Sequence, residues 1–303
     1  MVDFTLALKK GFGIKKLSVV LFIFIFVCQL NAQNSEVQRR RTLKYAYAGT
    51  YLASTIGFYQ LWYKDYEQSS FHFFNDNPQW LQMDKFGHAY STYTLTKLSS
   101  KTFQWANYSK QQSALYASAA SFTFLTTIEL MDAYSKKWGF SWGDFIANSG
   151  GISFYLLQEL AFKKQSIILK FSYSPSPYRE LRADALGETQ LQALFKDYNA
   201  QTYWASVNIN DFIPAVKPKW LSLAIGYSGR EMINARGAFR SASGELYNPQ
   251  RQYFLSLDVN LEKIKSNKKW VKSALSVLNC LKIPFPAVEF TKENRPQLHW
   301  LYY

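Results

Sequence analysis

Between residues 84 and 151 the chain sets polar side chains one helical turn apart. Asp84 and His88 stand at i and i+4, with Lys85 beside them. Glu129 and Asp132 are at i and i+3, and Asp144 and Asn148 are again at i and i+4. On a helix each such pair stacks on one face. Carboxylates around a single imidazole suit two kinds of chemistry. His88 flanked by carboxylates can act as a general acid or base. One histidine with several oxygen donors also suits a hard or borderline divalent cation. The set lacks the Cys or multiple His of a structural zinc site, and it does not name a cofactor. A structural reading stands beside these. An apolar bundle does not bury such groups unless they satisfy one another. The same seven residues could therefore form a closed network that fixes helix register, with Lys85 neutralising a carboxylate.

Four helices are expected to carry these residues. Tyr45 to Tyr63 and Gln111 to Ile128 are uncharged runs rich in Ala, Gly, Ser and Thr. Such small residues let helix backbones approach closely. Further helices are predicted from about Trp80 to Lys101 and from Trp142 to Phe162, with Asp84 and Asp144 favouring their N-termini. Gly150 and Gly151 would allow close helix packing. Ser70–Asp76 and Arg179–Thr189 look like linkers. His72 and His299 lie among aromatics and read as surface or interface residues. Ser141 lies in a turn with no spaced base. Phosphate loop, nucleophile elbow and His-Glu-x-x-His patterns are all missing from the sequence.

After Gln165 the apolar period changes from helical to two. Leu255, Leu257, Val259 and Leu261 alternate with Ser256, Asp258 and Asn260. Leu221, Leu223, Ile225 and Tyr227 alternate in the same way. Ile168–Tyr173, Tyr203–Ile209, Ala287–Thr291 and Gln297–Tyr303 are the other strand candidates. One reading is an antiparallel sheet whose apolar face packs on the helices. The other is an outer-membrane, barrel-like wall that turns its apolar side outward and its polar side inward. Six strands are few for a standard barrel, so the packed sheet is the expectation. Five lysines, Lys263, Lys265, Lys268, Lys269 and Lys272, accompany the apolar stretch Val271–Leu281. This pattern fits a basic amphipathic helix at a membrane surface or a solvated charge run.

The N-terminus reads as an address. Lys9, Lys10, Lys15 and Lys16 precede an apolar run from Leu17 to Cys28, and Ala32 offers a cleavage point before Gln33. Residues 1–32 are therefore expected to be a signal peptide. Arg39–Arg41 and Lys44 precede the first uncharged run. With an export signal in front, they would lie outside the cytoplasm, against the positive-inside rule. That argues against spans of the inner membrane. Ile25-Phe26-Val27 is bulky where a lipobox before Cys28 wants a small residue. Cys280 then remains as a lone thiol in an apolar run and reads as a buried bystander. Of the 303 residues, 18% are aromatic and 18% charged, and the formal net charge is +14. The aromatic load excludes a disordered chain, and the low charge disfavours an ordinary cytosolic enzyme. Residues 163–303 carry 20 basic and 11 acidic groups, against 11 and 9 in residues 33–162. No nucleic-acid motif goes with this basicity. Membrane lipid or lipopolysaccharide is the expected partner.

Three motifs in order, Asp84-Lys85-x-x-His88, Glu129-x-x-Asp132 and Trp138-Gly139-Phe140-Ser141-x-Gly143-Asp144-x-x-x-Asn148-x-x-Gly151, resemble the YfiM-like family. The resemblance covers about residues 40–165 and implies a predicted periplasmic lipoprotein built on a domain of unknown function. A weaker similarity links the same pattern to VanZ-like membrane proteins, which lack a counterpart of the basic β-rich half. Lys196–Trp204 resembles an extension found in Bacteroidetes members. Neither family implies an established reaction.

Together these readings predict an α+β protein, with a helical bundle over residues 33–165 and an antiparallel, β-rich basic region over 166–303. The expected role is structural or scaffolding, at the periplasmic face of the outer membrane or within it. The alternative is an envelope enzyme, hydrolase-like, acting on lipid or cell-wall material through the Asp84/His88 cluster.

Overall fold

The computed structural model describes residues 35–302. The signal segment, its cleavage site, Cys28 and Tyr303 lie outside the described residues. Four long helices come first: α1 (Glu36–Phe58), α2 (Met83–Trp105), α3 (Lys110–Ala133) and α4 (Trp142–Phe162). Short helices follow at α5 (Ala183–Leu186), α6 (Gln190–Lys196) and α7 (Ile209–Phe212), with α8 at Lys269–Leu278. The strands are β1 (Ile167–Tyr173), β2 (Gln201–Asn208), β3 (Leu221–Arg230), β4 (Phe239–Arg240), β5 (Leu246–Tyr247), β6 (Gln250–Val259), β7 (Phe285–Thr291) and β8 (Gln297–Tyr302). Helices therefore fill the N-terminal half and an antiparallel sheet the rest. Arg179–Thr189 is not a plain linker, because a 3-10 turn at Pro177–Leu181 and α5 lie in and beside it.

By contacts the chain forms two compact units, one ending at Phe74 and resuming over Leu95–Phe145, the other made of Asn75–Thr94 and Ile146 onward. Helices α2 and α4 each run through both. In the first unit, Ser35 and Ser109 cap α1 and α3 with reciprocal capping boxes. Along α3 the side chains of Ser113, Ala114, Ala117, Ser118 and Ser121 are buried. Small residues here let the backbones close up, as the sequence pattern predicts. Tyr47 bonds Thr102 at 2.9 Å and Tyr51 bonds Thr127 at 2.7 Å, tying α1 to α2 and α3. Tyr45, Leu52, Ile56, Leu115, Tyr116 and Phe122 nevertheless remain exposed. Among the described residues, α3 is the one helix long and apolar enough to cross a membrane.

In the second unit the strand order is β1-β2-β3-β6-β7-β8, antiparallel throughout, with β4 and β5 in a separate hairpin. Period-two alternation sends successive side chains to opposite faces. Register places Ile225 beside Leu255, and Leu255 beside Val288. Leu223 lies beside Leu257. The apolar residues thus share one face, and this is the exposed one. Ile225 is 57% exposed, Leu255 42% and Leu257 41%. Ser206, Asn208, Ser222, Ser256 and Asp258 on the other face are buried. The expected burial of the leucine face under helices holds only at one end. There Phe86 stacks on Tyr227 with ring centroids 4.4 Å apart, and Tyr90 stacks on Phe171.

The sheet curls around its polar face. Tyr302 of β8 reaches back to Phe254, 4.3 Å between ring centroids, and to the hydroxyl of Thr202 on β2, 3.2 Å away. Cys280–Lys282 pairs with Phe171 and covers the free edge of β1. Cys280 is itself only half-buried. Inside the curl, Lys170 and Asp258 form an ion pair of 2.8 Å with both side chains fully buried. Lys170 also donates to the Val259 carbonyl at 2.8 Å. Asp258 accepts from Ser206 at 2.6 Å and from the Ile283 amide at 3.1 Å. A buried ion pair is tolerable only with such saturation. Trp204 lies against Gly226, where an added Cβ would meet the indole at 2.7 Å.

Candidate functional site

Asp84 is the second residue of α2, and the turn before it is unusual. Trp80, Leu81 and Gln82 all have positive φ, of 48°, 50° and 64°. Three consecutive side-chain-bearing residues in this region are strained and need outside support. It comes from the β half: the Trp80 amide donates to the Ala235 carbonyl at 2.8 Å, and Tyr227 donates to the Leu81 carbonyl. The sheet thus sets where α2 begins and where Asp84 points. Opposite, Gly151 lets α4 approach α2. A Cβ there would fall 2.2 Å from the Ala89 carbonyl oxygen and 2.3 Å from Thr92 Oγ1. Gly150 faces open space and has no such role.

Close approach of the two helices joins His88 to Asn148, with Nδ1 3.1 Å from Oδ1. Since Oδ1 can only accept, the ring carries its proton on Nδ1 in that bond. His88 Nε2 lies 3.7 Å from Asp84 Oδ1. Asp84 Oδ1 accepts from the Tyr198 hydroxyl at 2.9 Å, and Oδ2 accepts from Lys85 at 3.0 Å. Lys85 also meets Asp76 at 2.6 Å. Burial would raise the Asp84 pKa, but the charges of His88 and Lys85 and the bonds from Lys85 and Tyr198 outweigh it and hold the carboxyl at about 2. Asp84 is therefore ionised at neutral pH. The side chains of Asp84, Lys85 and His88 keep 26%, 14% and 21% exposure, so solvent reaches the row.

Asp132 accepts from Tyr63 at 2.8 Å. Burial first, then Asp132 and Glu129, push the Tyr63 hydroxyl far above the usual tyrosine range, so it stays protonated as a donor. Glu129 is almost fully buried. Asp144 is buried in the first turn of α4, one turn before Asn148. Its amide donates to Ser141 Oγ at 3.1 Å, so Ser141 caps this helix. His72 and His299 are not merely among aromatics. His72 Nε2 bonds the Trp138 carbonyl at 2.7 Å, and His299 Nε2 bonds Glu289 at 2.7 Å.

Sequence reasoning missed Tyr198 and Asp76. Tyr198 is 114 residues from Asp84, and no local spacing announces it. It also missed the Lys170–Asp258 pair, although both sit at polar-face positions of the alternation. An anionic Asp84 oxygen and, when the ring is neutral, the His88 Nε2 on one helix turn can accept a proton from a bound molecule or supply two donors to a divalent cation.

Residues 71–159 match the family model described as predicted periplasmic lipoprotein, a domain of unknown function (DUF2279). This span includes the Asp84, Glu129 and Asp144 motifs. Periplasmic placement agrees with the export address read from the N-terminus. No curated protein matches the chain, and no solved structure does.

Proposed function

We propose that this chain is a structural component of the outer membrane, held there by the apolar face of its sheet. One observation carries the reading. The sheet turns Leu223, Ile225, Leu255, Leu257 and Leu298 outward, while its concave side holds a buried ion pair, a set of serines and a small apolar cluster around Trp204 and Phe254. A water-soluble sheet of this kind does the reverse, because burying apolar surface contributes roughly 25 cal/mol per Å². Polar-in, apolar-out alternation is what strands in contact with lipid require. Trp300, 79% exposed near the end of β8, suits the boundary between lipid and water. Fractionation with N-terminal sequencing tests this. The reading expects a mature chain beginning at Gln33, recovered with the outer membrane and resistant to alkaline carbonate. A full-length chain in the inner membrane, or a chain released by carbonate, contradicts it.

The second reading, an envelope hydrolase acting on lipid or cell-wall material, is favoured by the solvent-reached row Asp84–Lys85–His88. Under it, His88→Ala abolishes cellular function with an unchanged melt. Under the scaffold reading, the same variant lowers the melting temperature.

A further inference from the structure

In the sheet the two ends differ in charge. β1, β3 and β7 begin at one end and β2 and β6 finish there. This end carries Lys163 and Lys164 before β1, then Lys217 and Lys219 before β3. After β6 come Lys263, Lys265, Lys268, Lys269 and Lys272. Of these nine, all but Lys263 are exposed. The acidic groups that answer them are few. Asp211 is taken up by Lys164 at 3.2 Å and Lys263 at 2.8 Å, which leaves Glu159, one turn before Lys163, and Glu262 against the other seven. The opposite end holds arginines interleaved with acids, such as Arg182 with Asp184 and Arg230 with Glu289. Large apolar side chains stand out among the lysines. Phe212 is 59% exposed, Ile213 55% and Trp270 63%. Helix α8 presents Trp270 beside Lys269 and Lys272 at its exposed start.

We infer that the lysine end of the sheet is a docking surface for the anionic headgroups of a bilayer, and that it fixes how deep the apolar face sits. This deepens the membrane reading above and rests on it. Lysines hold phosphate-bearing headgroups as mobile point charges, and each contributes about a fivefold gain in partitioning to an anionic surface. Trp270, Phe212 and Ile213 enter the boundary layer beside them. The surface is continuous with the apolar face, since Leu257 and Val259 of β6 lead directly into the lysine-bearing turn.

Flotation of the full mature chain, diluted from detergent into vesicles, tests the inference. Vesicles are phosphatidylcholine alone or with three parts in ten phosphatidylglycerol. The expected result is flotation with both, and an affinity about a hundredfold higher for the anionic vesicles at low salt. Half-molar salt should remove that gain. The variant K265Q/K268Q/K269Q/K272Q should lose most of the gain and keep its binding to neutral vesicles. K217Q/K219Q should lose a smaller part, and it serves if the first variant does not fold. R236Q/R240Q, at the other end, should lose none. Equal affinity for both vesicles, or an equal loss in the arginine variant, overturns the headgroup inference and leaves the membrane reading intact. Inhibition by millimolar inorganic phosphate would also overturn it, since that marks a discrete anion pocket. Failure to float with any vesicle overturns the membrane reading itself.

Discussion

The molecule contains two polar networks built from the same kinds of side chain. In the curl of the sheet, Lys170 and Asp258 are fully buried, and their bonds run to a neighbouring hydroxyl and to backbone groups. Beside α2, Asp84, Lys85 and His88 form a row of similar bonds that solvent still touches. The first network is closed. Its partners are on strands β1, β2 and β6 and the segment before β7, so it ties the sheet into its curl. The second rests on a strained turn and one glycine contact, and its imidazole faces outward in part. Enclosure decides what a charged pair can do: the sealed pair holds structure, while the open row can also meet a ligand.

The largest test of this contrast strikes the sealed pair. Asp258→Ala removes the carboxylate that faces both Lys170 and the buried Lys282, and should cost about 3–5 kcal/mol in denaturant unfolding. Lys170→Met combined with Asp258→Leu should recover most of that loss. A double variant no better than the single one would mean that the pair does not act as a unit. Next comes Gly151→Ala, whose methyl would press into the Ala89 carbonyl and should cost about 1–3 kcal/mol. It should also loosen the His88–Asn148 bond, visible as a shifted His88 ring resonance.

Asp84→Asn should cost about 1–2 kcal/mol at neutral pH, less than the sealed pair because the row is partly solvated. Its pH signature is specific. The Asp84 pKa is lowered from 3.8 to about 2, so its contribution is present above 3.8 and disappears as the pH falls through 2. An acid titration of stability should show that fall in the wild type, and Asp84→Asn should lack it. The smallest effect is expected from His88→Ala, about 0.5–1.5 kcal/mol for one hydrogen bond. A loss as large as that of Asp258→Ala would erase the distinction between the two networks.

Much of this was legible in the sequence because it is local. Period-two alternation located all six strands of the main sheet, and helical spacing paired Asp84 with His88 and Asp144 with Asn148. What alternation cannot tell is which face meets water, since a packed sheet and a lipid-facing one share the same pattern. Leu255 and Leu257 read alike in both, and only the folded sheet, curled with its polar face inward, shows that they are exposed. Tyr198 and Asp76 escaped because their link to α2 is made by tertiary folding. The left-handed turn at Trp80–Gln82 escaped because none of its residues is a glycine that would have advertised it.

The central claim is that the leucine face of the sheet lies in lipid. Spin labels at residue 225 or 257, in a Cys280→Ser background reconstituted into bilayers, test it most directly. Collision with oxygen, which dissolves in lipid, is compared with collision with a water-soluble nickel chelate. The account predicts that oxygen dominates at both sites and that the nickel chelate dominates for a label at residue 265. Nickel dominating at 225 and 257 would place the face in water and contradict it.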